Sequence, residues 1–310
     1  MKISIVICTH NRADLLQDAV QSVLVQDFPR DLYELIIIDN GSTDNSRQMA
    51  EEFITRYPNI RYIFEPEIGL SHARNRGWQE ARGEYIGFLD DDCRVPFEWL
   101  EVAAEIAGQK APAAFGGPYF AFYNTAKPKW FRDNYGSHIQ GTMARPLGAN
   151  EFLDGGNLFI RRNLLIKFGG FDARFGMKGN IVAYGEETDL IEKIRHQKDD
   201  NILYYEPRLF INHLVDAKKM TWRWIIRQRI AGGRDHYHLF KEPGNTGVTM
   251  TFLRFIKNIC LLCMDFIIAP FARDRKKYPF KENYVYEHTL TYLVNTSSLW
   301  EQIKELFKKD

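Results

Sequence analysis

The order of apolar runs in the first hundred residues restricts the fold more than any other feature of this chain. Residues 3–8, 35–38, 60–64 and 85–89 are short β-branched or aromatic runs, the composition of strands buried on both faces of a parallel sheet. Between the first two, Leu15, Leu16, Ala19, Val20, Val23 and Leu24 fall at helical spacing, and segments near 44–57 and 71–82 read as helices separating the next strands. Repeated strand–helix–strand units imply right-handed crossovers and an α/β fold. At 310 residues the chain suits one large domain, or a catalytic domain with an appendage.

In such a sheet, ligands bind beyond the carboxyl ends of the strands. Polar residues gather there. Thr9-His10-Asn11-Arg12 follows the first strand, Asp39-Asn40-Gly41-Ser42 the second, residues 65–71 the third, and Asp90-Asp91-Asp92 the fourth. Three adjacent carboxylates repel one another unless a cation neutralises them. A hard divalent ion, Mg²⁺ or Mn²⁺, takes one or two such ligands and completes its shell with water and phosphate oxygens. Alternatively, one of the acids caps the helix expected from Pro96-Phe97-Glu98-Trp99, which accounts for one carboxylate and not three. Asp39 reads either as ordinary Asp-Asn-Gly-Ser turn chemistry or as a nucleoside contact beside the triplet. In Gly69-Leu70-Ser71-His72-Ala73-Arg74-Asn75, Ser71 is a candidate cap and Arg74 a candidate anion partner at a helix start; solvated arginines on a capped helix are the plain alternative.

These segments carry a resemblance. SIVICTHNR, IIIDNGSTDNS, GLSHARNRG, GEYIGFLDDD and GGNLFIRRNLLIKFGGFD, in this order and spacing, resemble the family 2 glycosyltransferases over about residues 1–215. The resemblance implies a GT-A fold: a mostly parallel central sheet flanked by helices, with a nucleotide-binding half at 1–110 and an acceptor and base half at 111–215. It implies inverting transfer from a nucleotide-sugar, most commonly a UDP-sugar, to a sugar or lipid-linked glycan hydroxyl in polysaccharide, lipopolysaccharide or other glycoconjugate assembly. By the same resemblance Asp39 contacts the nucleobase, Asp90 the ribose and Asp92 the metal. Arg74 and Asn75 lie near the nucleotide, and Asp91 is the cap or spare. The family's usual Glu-Asp pair, whose second acid is the base, is Glu186-Glu187 here, making Glu187 the expected base with Glu186 in contention. Acids in a first helical turn are also stabilised simply by the helix dipole. His213 is a candidate metal or diphosphate contact, or an ordinary hydrogen-bonded histidine. Gly155 and Gly156 allow close backbone approach, and Asn157 is a candidate partner for a sugar hydroxyl, or part of a turn.

Rival readings fare worse. A sugar nucleotidyltransferase needs a Gly-rich, Arg-bearing phosphate loop after the first strand, and a dinucleotide-binding dehydrogenase needs GxGxxG; neither is present. A catalytically silent subunit of a glycan-assembly complex has no reason to keep Asp90, Asp92, Glu186 and Glu187.

The remaining residues, 216–310, read as a helical region. Net charge is only +1, yet residues 218–281 hold 14 Lys and Arg against 4 acids, which suits an anionic membrane surface; no nucleic-acid recognition motif accompanies the charge. Trp222, Ile225, Ile226 and Ile230 form an apolar stripe opposite Arg223, Arg227 and Arg234, the pattern of an interfacial helix or of core packing. Residues 252–272 are more apolar but are broken by Arg254, Lys257, Asp265 and Pro270, short of a membrane span, and read as a stretch lying in the membrane surface, with Arg273, Arg275, Lys276 and Lys277 after it for anionic headgroups. Cys260 and Cys263 within them read as apolar filler. Four cysteines without zinc spacing suggest a reducing compartment, and residues 1–10 read as a strand rather than a signal peptide. The expectation is cytoplasmic, with peripheral attachment to the inner face of the membrane.

Overall fold

Four parallel strands open the chain: β1 (Ile3–Thr9), β2 (Tyr33–Asp39), β3 (Ile60–Phe64) and β4 (Tyr85–Asp90). They alternate with α1 (Ala13–Leu24), α2 (Ser46–Arg56) and α3 (Leu70–Glu80). Alternate side chains of a strand point to opposite faces, so a sheet covered on both sides buries every residue. Accordingly Ile3, Ile5 and Ile7 pack with Leu16, Ala19, Val20 and Val23 of α1, while Val6, Ile36 and Ile38 pack with Ala73 and Trp78 of α3. Each such burial contributes about 1.5–3 kcal/mol.

The computed structural model describes residues 3–149, 151–179, 181–197, 202–240 and 247–308. Lys241 and Glu242 of the basic region lie outside them. The chain divides into two compact units, the first comprising Met1–Phe122, Asp133–Asn180 and Glu186–Val215, the second Tyr123–Arg132, Ile181–Gly185 and Asp216–Asp310.

In the first unit β4 leads through β5 (Cys93–Arg94) to α4 (Trp99–Gln109), β6 (Ala114–Gly116) and β7 (Tyr119–Phe122). Then come β8 (Arg145–Pro146), β9 (Asn157–Arg161), α5 (Arg162–Phe168), α6 (Glu186–Arg195), β10 (Leu203–Tyr205) and β11 (Ile211–Leu214). The main sheet runs β3-β2-β1-β4-β9-β6-β10-β8. Within it β9 is antiparallel to both β4 and β6, with Asn157 opposite Leu89. A second sheet, β5-β11-β7, pairs His213 with Cys93. These two departures from a simple parallel sheet build the site.

In the second unit, α7 (Trp222–Leu239) is followed by α8 (Val248–Ala272), α9 (Lys281–Tyr284), a π-helical turn at Val285–Thr289 and α10 (Leu290–Phe307). The Thr221 hydroxyl caps α7 by accepting from Trp224 N–H at 3.3 Å. The expected interfacial stripe of α7 is divided. Trp222 stacks on Trp130 at 5.0 Å and Ile225 is buried, leaving only Ile226 and Ile230 exposed. Packing between elements won over amphipathic exposure because residues 123–132 supply an aromatic partner. Among the described residues, no helix is long and apolar enough to cross a membrane.

Candidate functional site

The antiparallel entry of β9 beside β4 brings the start of one strand to the end of the other, so Gly155 and Gly156 lie against Asp90. A Cβ at Gly156 would sit 2.6 Å from Asp90 Oδ2, and one at Gly155 would sit 2.7 Å from Arg74 Nη2. The two glycines are therefore required by close approach to an acid and a guanidinium. Asn157 is placed differently from expectation. It is fully buried, its Oδ1 accepting from Trp99 Nε1 at 3.1 Å and its Nδ2 donating to Leu209 O at 2.6 Å, so it ties β9 into the core.

Arg74 occupies the centre. It is 3 % exposed, donates to Glu186 Oε1 at 2.7 Å and Asp90 Oδ1 at 3.2 Å, and lies 3.9 Å from Glu187 Oε2. It is thus a buried link between the end of β4 and the start of α6, not a solvated arginine on a capped helix. Ser71 does not cap α3, since Gly69 occupies the cap position and the Ser71 hydroxyl donates to Phe175 O at 2.8 Å. Asn75 is spent on structure as well, donating to Phe171 O and accepting from Phe171 N–H and Trp78 Nε1.

The aspartate triplet is split between partners. Asp90 turns to Arg74, while Asp91 accepts from the Thr9 hydroxyl at 2.8 Å and from Arg12 Nη1 at 2.8 Å. Arg12 also reaches Asp92 at 3.4 Å. Burial raises the Asp91 carboxyl to about 6; Arg12 opposes that rise and Asp92 adds to it. Asp91 is neither cap nor spare. The α4 cap position is Glu98 without a side-chain bond, because β5 and the Pro96 turn separate the triplet from the helix. Asp92 Oδ1 stands 3.6 Å from His213 Nε2, a proximity imposed by β5–β11 pairing. Asp90, Asp92 and His213, the residues considered for a metal, are not gathered into one cluster, and among the described residues no group of three such ligands is preassembled.

Around this centre the other strand ends are knitted together. Asp39 is buried and accepts from Ser42 N–H at 2.8 Å and Tyr62 Oη at 2.7 Å. Asn11, in the left-handed region at φ 55°, accepts from Thr43 N–H at 2.7 Å, and His10 Nδ1 donates to Asn40 O at 2.7 Å. Asn40, which drew no attention beyond its turn, binds Glu65 O, Glu67 O and Gly69 N–H and so fixes the loop leading to α3. Also unforeseen were Tyr119, whose ring meets His213 at 5.2 Å, and the Asp154–His138 pair just before the glycines. An acid immediately ahead of Gly-Gly-Asn was the available signal for the latter.

Glu187 is the more accessible of the two α6 acids, its side chain 21 % exposed against 5 % for Glu186. Burial pushes the Glu187 carboxyl well above the usual carboxylate range; the charge of Glu186 adds to this and Arg74 opposes it. The Oε2 atoms of both acids accept no hydrogen bond among the described residues.

Comparison with known proteins agrees with this geometry. Residues 4–169 match the family described as Glycosyl transferase family 2. Glycosyltransferase AglE of Haloferax volcanii is 29% identical over 60% of this chain and 61% of its own length, so the match spans about three fifths of that relative. Succinoglycan biosynthesis protein ExoM of Rhizobium meliloti is 27% identical over 79% of this chain and 77% of its own. A mannosyltransferase from Pyrobaculum calidifontis, solved with GDP-Man and Mn2+, superposes with a TM-score of 0.65 at 16% identity, covering 97% of this chain and 88% of that one, a likeness of fold alone. The sheet order is that of the GT-A fold. With the family matched across more than half its length, and with its acids gathered at the strand ends as that fold requires, the chain belongs to glycosyl transferase family 2.

Proposed function

We propose that this chain is an inverting, metal-dependent glycosyltransferase that moves a hexosyl or N-acetylhexosaminyl group from a nucleotide-sugar, with UDP the favoured nucleotide, to a hydroxyl of a glycan acceptor. The observation that carries the reading is the buried Arg74 link, which holds Asp90 on the donor side and the Glu186–Glu187 pair on the acceptor side of one site. Relatives named for succinoglycan biosynthesis and for a glucosyl-dolichyl phosphate glucuronosyltransferase support an acceptor in polysaccharide or lipid-linked glycan assembly.

Asp92 and His213 fit a divalent cation. Their donor atoms are 3.6 Å apart, too far for a hydrogen bond and near the spacing of two ligands of one small ion. Asp92 and His213 would hold Mg²⁺ or Mn²⁺ there, and the ion would supply Lewis-acid charge for the leaving diphosphate. Asp90 faces the ribose, and Asp39, fixed by Tyr62, faces the base. Glu187 accepts the proton of the acceptor hydroxyl as its oxygen bonds the anomeric carbon and the bond to the diphosphate breaks on the opposite face. Its raised proton affinity suits that task, and Arg74 keeps it from rising further. Thr9 and Arg12 hold Asp91, and so the turn that carries Asp92. The basic region at 218–281 suits an anionic membrane surface where a lipid-linked acceptor resides.

The test is release of nucleoside diphosphate from UDP-, GDP- and dTDP-sugars with Mn²⁺. A donor that raises the thermal midpoint and is then turned over supports the reading. Donor binding without turnover on any acceptor glycan points instead to the silent subunit.

A further inference from the structure

The solvent face of α8 is apolar along nearly its whole length. Leu253, Ile256, Cys260, Met264, Ile267 and Phe271 follow one another at spacings of three and four, and all are exposed, Ile267 by 68% and Phe271 by 88%. Spaced so, they lie on one side of the helix and extend about 27 Å at 1.5 Å per residue. The opposite side is satisfied inside the second unit. Thr251 and Ala269 are buried there, and Asp265 accepts from the Tyr284 hydroxyl at 2.9 Å and the Thr289 hydroxyl at 2.5 Å. The acid that interrupts the apolar run is thus turned inward. Cys260 and Cys263, read as apolar filler, are exposed.

We propose that α8 lies in the plane of a bilayer with this stripe among the acyl chains and that anionic headgroups hold it there. The proposal rests on, and sharpens, the anionic-surface reading above: of the two stretches that the sequence offered for the contact, α7 has Trp222 and Ile225 packed inward, which leaves α8. Charge selects the occupant. Arg254 and Lys257 flank the stripe, and Arg273, Arg275, Lys276 and Lys277 follow its end. A second copy of this chain, related by two-fold symmetry, would bring the same basic face against itself. Anionic lipid brings the complementary charge, each cation near the surface adding to binding. The helix lies flat rather than crossing, since Arg254, Lys257 and Asp265 interrupt the run and no helix among the described residues is apolar enough to span.

The unmodified full chain carries its own probe, because Cys260 and Cys263 are exposed while Cys93 is buried. Labelling by a water-soluble maleimide, resolved by peptide mapping, is expected to slow at least about tenfold at Cys260 with vesicles containing phosphatidylglycerol, and not with phosphatidylcholine alone, as burial of the stripe demands. Ile256→Glu with Ile267→Glu is expected to weaken flotation with anionic vesicles at least about 100-fold, and Arg275→Gln with Lys276→Gln about 30-fold. Unchanged labelling of the native chain overturns the proposal, as does flotation indifferent to the Glu substitutions. A native dimer that the Glu pair turns into monomers without altering flotation assigns the stripe to a second copy instead. Nucleoside diphosphate release, measured without vesicles, separates failure here from failure of the catalytic reading.

Discussion

Replacing Arg74 by Met keeps much of its bulk and removes the guanidinium that holds Glu186 and Asp90. The two partners are not equal. Glu186 is 5 % exposed in its side chain and Asp90 38%, so the loss is dominated by the Glu186 pair while the Asp90 pair is discounted by solvent. Removing one member of a buried ion pair costs about 3–5 kcal/mol, which for a unit of this size is a fall of about 6–20 °C in Tm. The cost has a pH signature. With Arg74 gone the Glu187 carboxyl, already raised by burial, loses the cation that opposes the rise, and a native acid that binds protons more tightly than the unfolded chain loses stability as pH rises. The destabilisation should therefore be larger at about pH 8 than at about pH 5, read from denaturant unfolding at both. Combining the change with Glu186→Gln should recover about 1–3 kcal/mol relative to additivity. A loss below about 1 kcal/mol, equal at both pH values, would refute the assignment of Arg74 as a buried charge link.

Other outcomes follow from the same geometry. Glu187→Gln should abolish sugar transfer, by about 10²-fold or more, with donor affinity in calorimetry unchanged; an active variant removes Glu187 as the base. Because burial raises the Glu187 carboxyl and a base works deprotonated, the acid limb of activity should lie well above the ordinary glutamate range, rising with pH to a plateau; a limb at the ordinary value contradicts it. Asp92→Asn should weaken donor binding in the presence of Mn²⁺ by more than in its absence, whereas equal effects with and without the ion argue against Asp92 as a ligand. Asn157→Ala strands Trp99 Nε1 and Leu209 O and should cost about 2–5 kcal/mol in unfolding experiments; a loss confined to kcat would return Asn157 to the substrate.

What the sequence determined by itself was local and periodic. β1, β2 and β4 lie within two residues of expectation, because strands buried on both faces admit only such residues, and β3, half-buried at the sheet edge, occupies residues 60–64 as its apolar run suggests. The convergence of polar strand ends followed from topology alone. The pairing of those residues was decided elsewhere. Arg74 and Glu186 are 112 positions apart, and a guanidinium in a helix pattern looks alike whether solvated or buried; the antiparallel β9, entered through Gly155 and Gly156, makes room for it beside Asp90. His213 meets Asp92 because a two-residue strand pairs with β11, a contact too short to announce itself in composition. Asn157 and Asn75, polar residues beside the site, were drawn into the core because buried carbonyls and indole N–H groups there needed partners. Hydrogen-bond satisfaction over long sequence separation is a property of the packed structure, and it is why the strands and their polar ends were legible in the chain while the partners of each side chain were not.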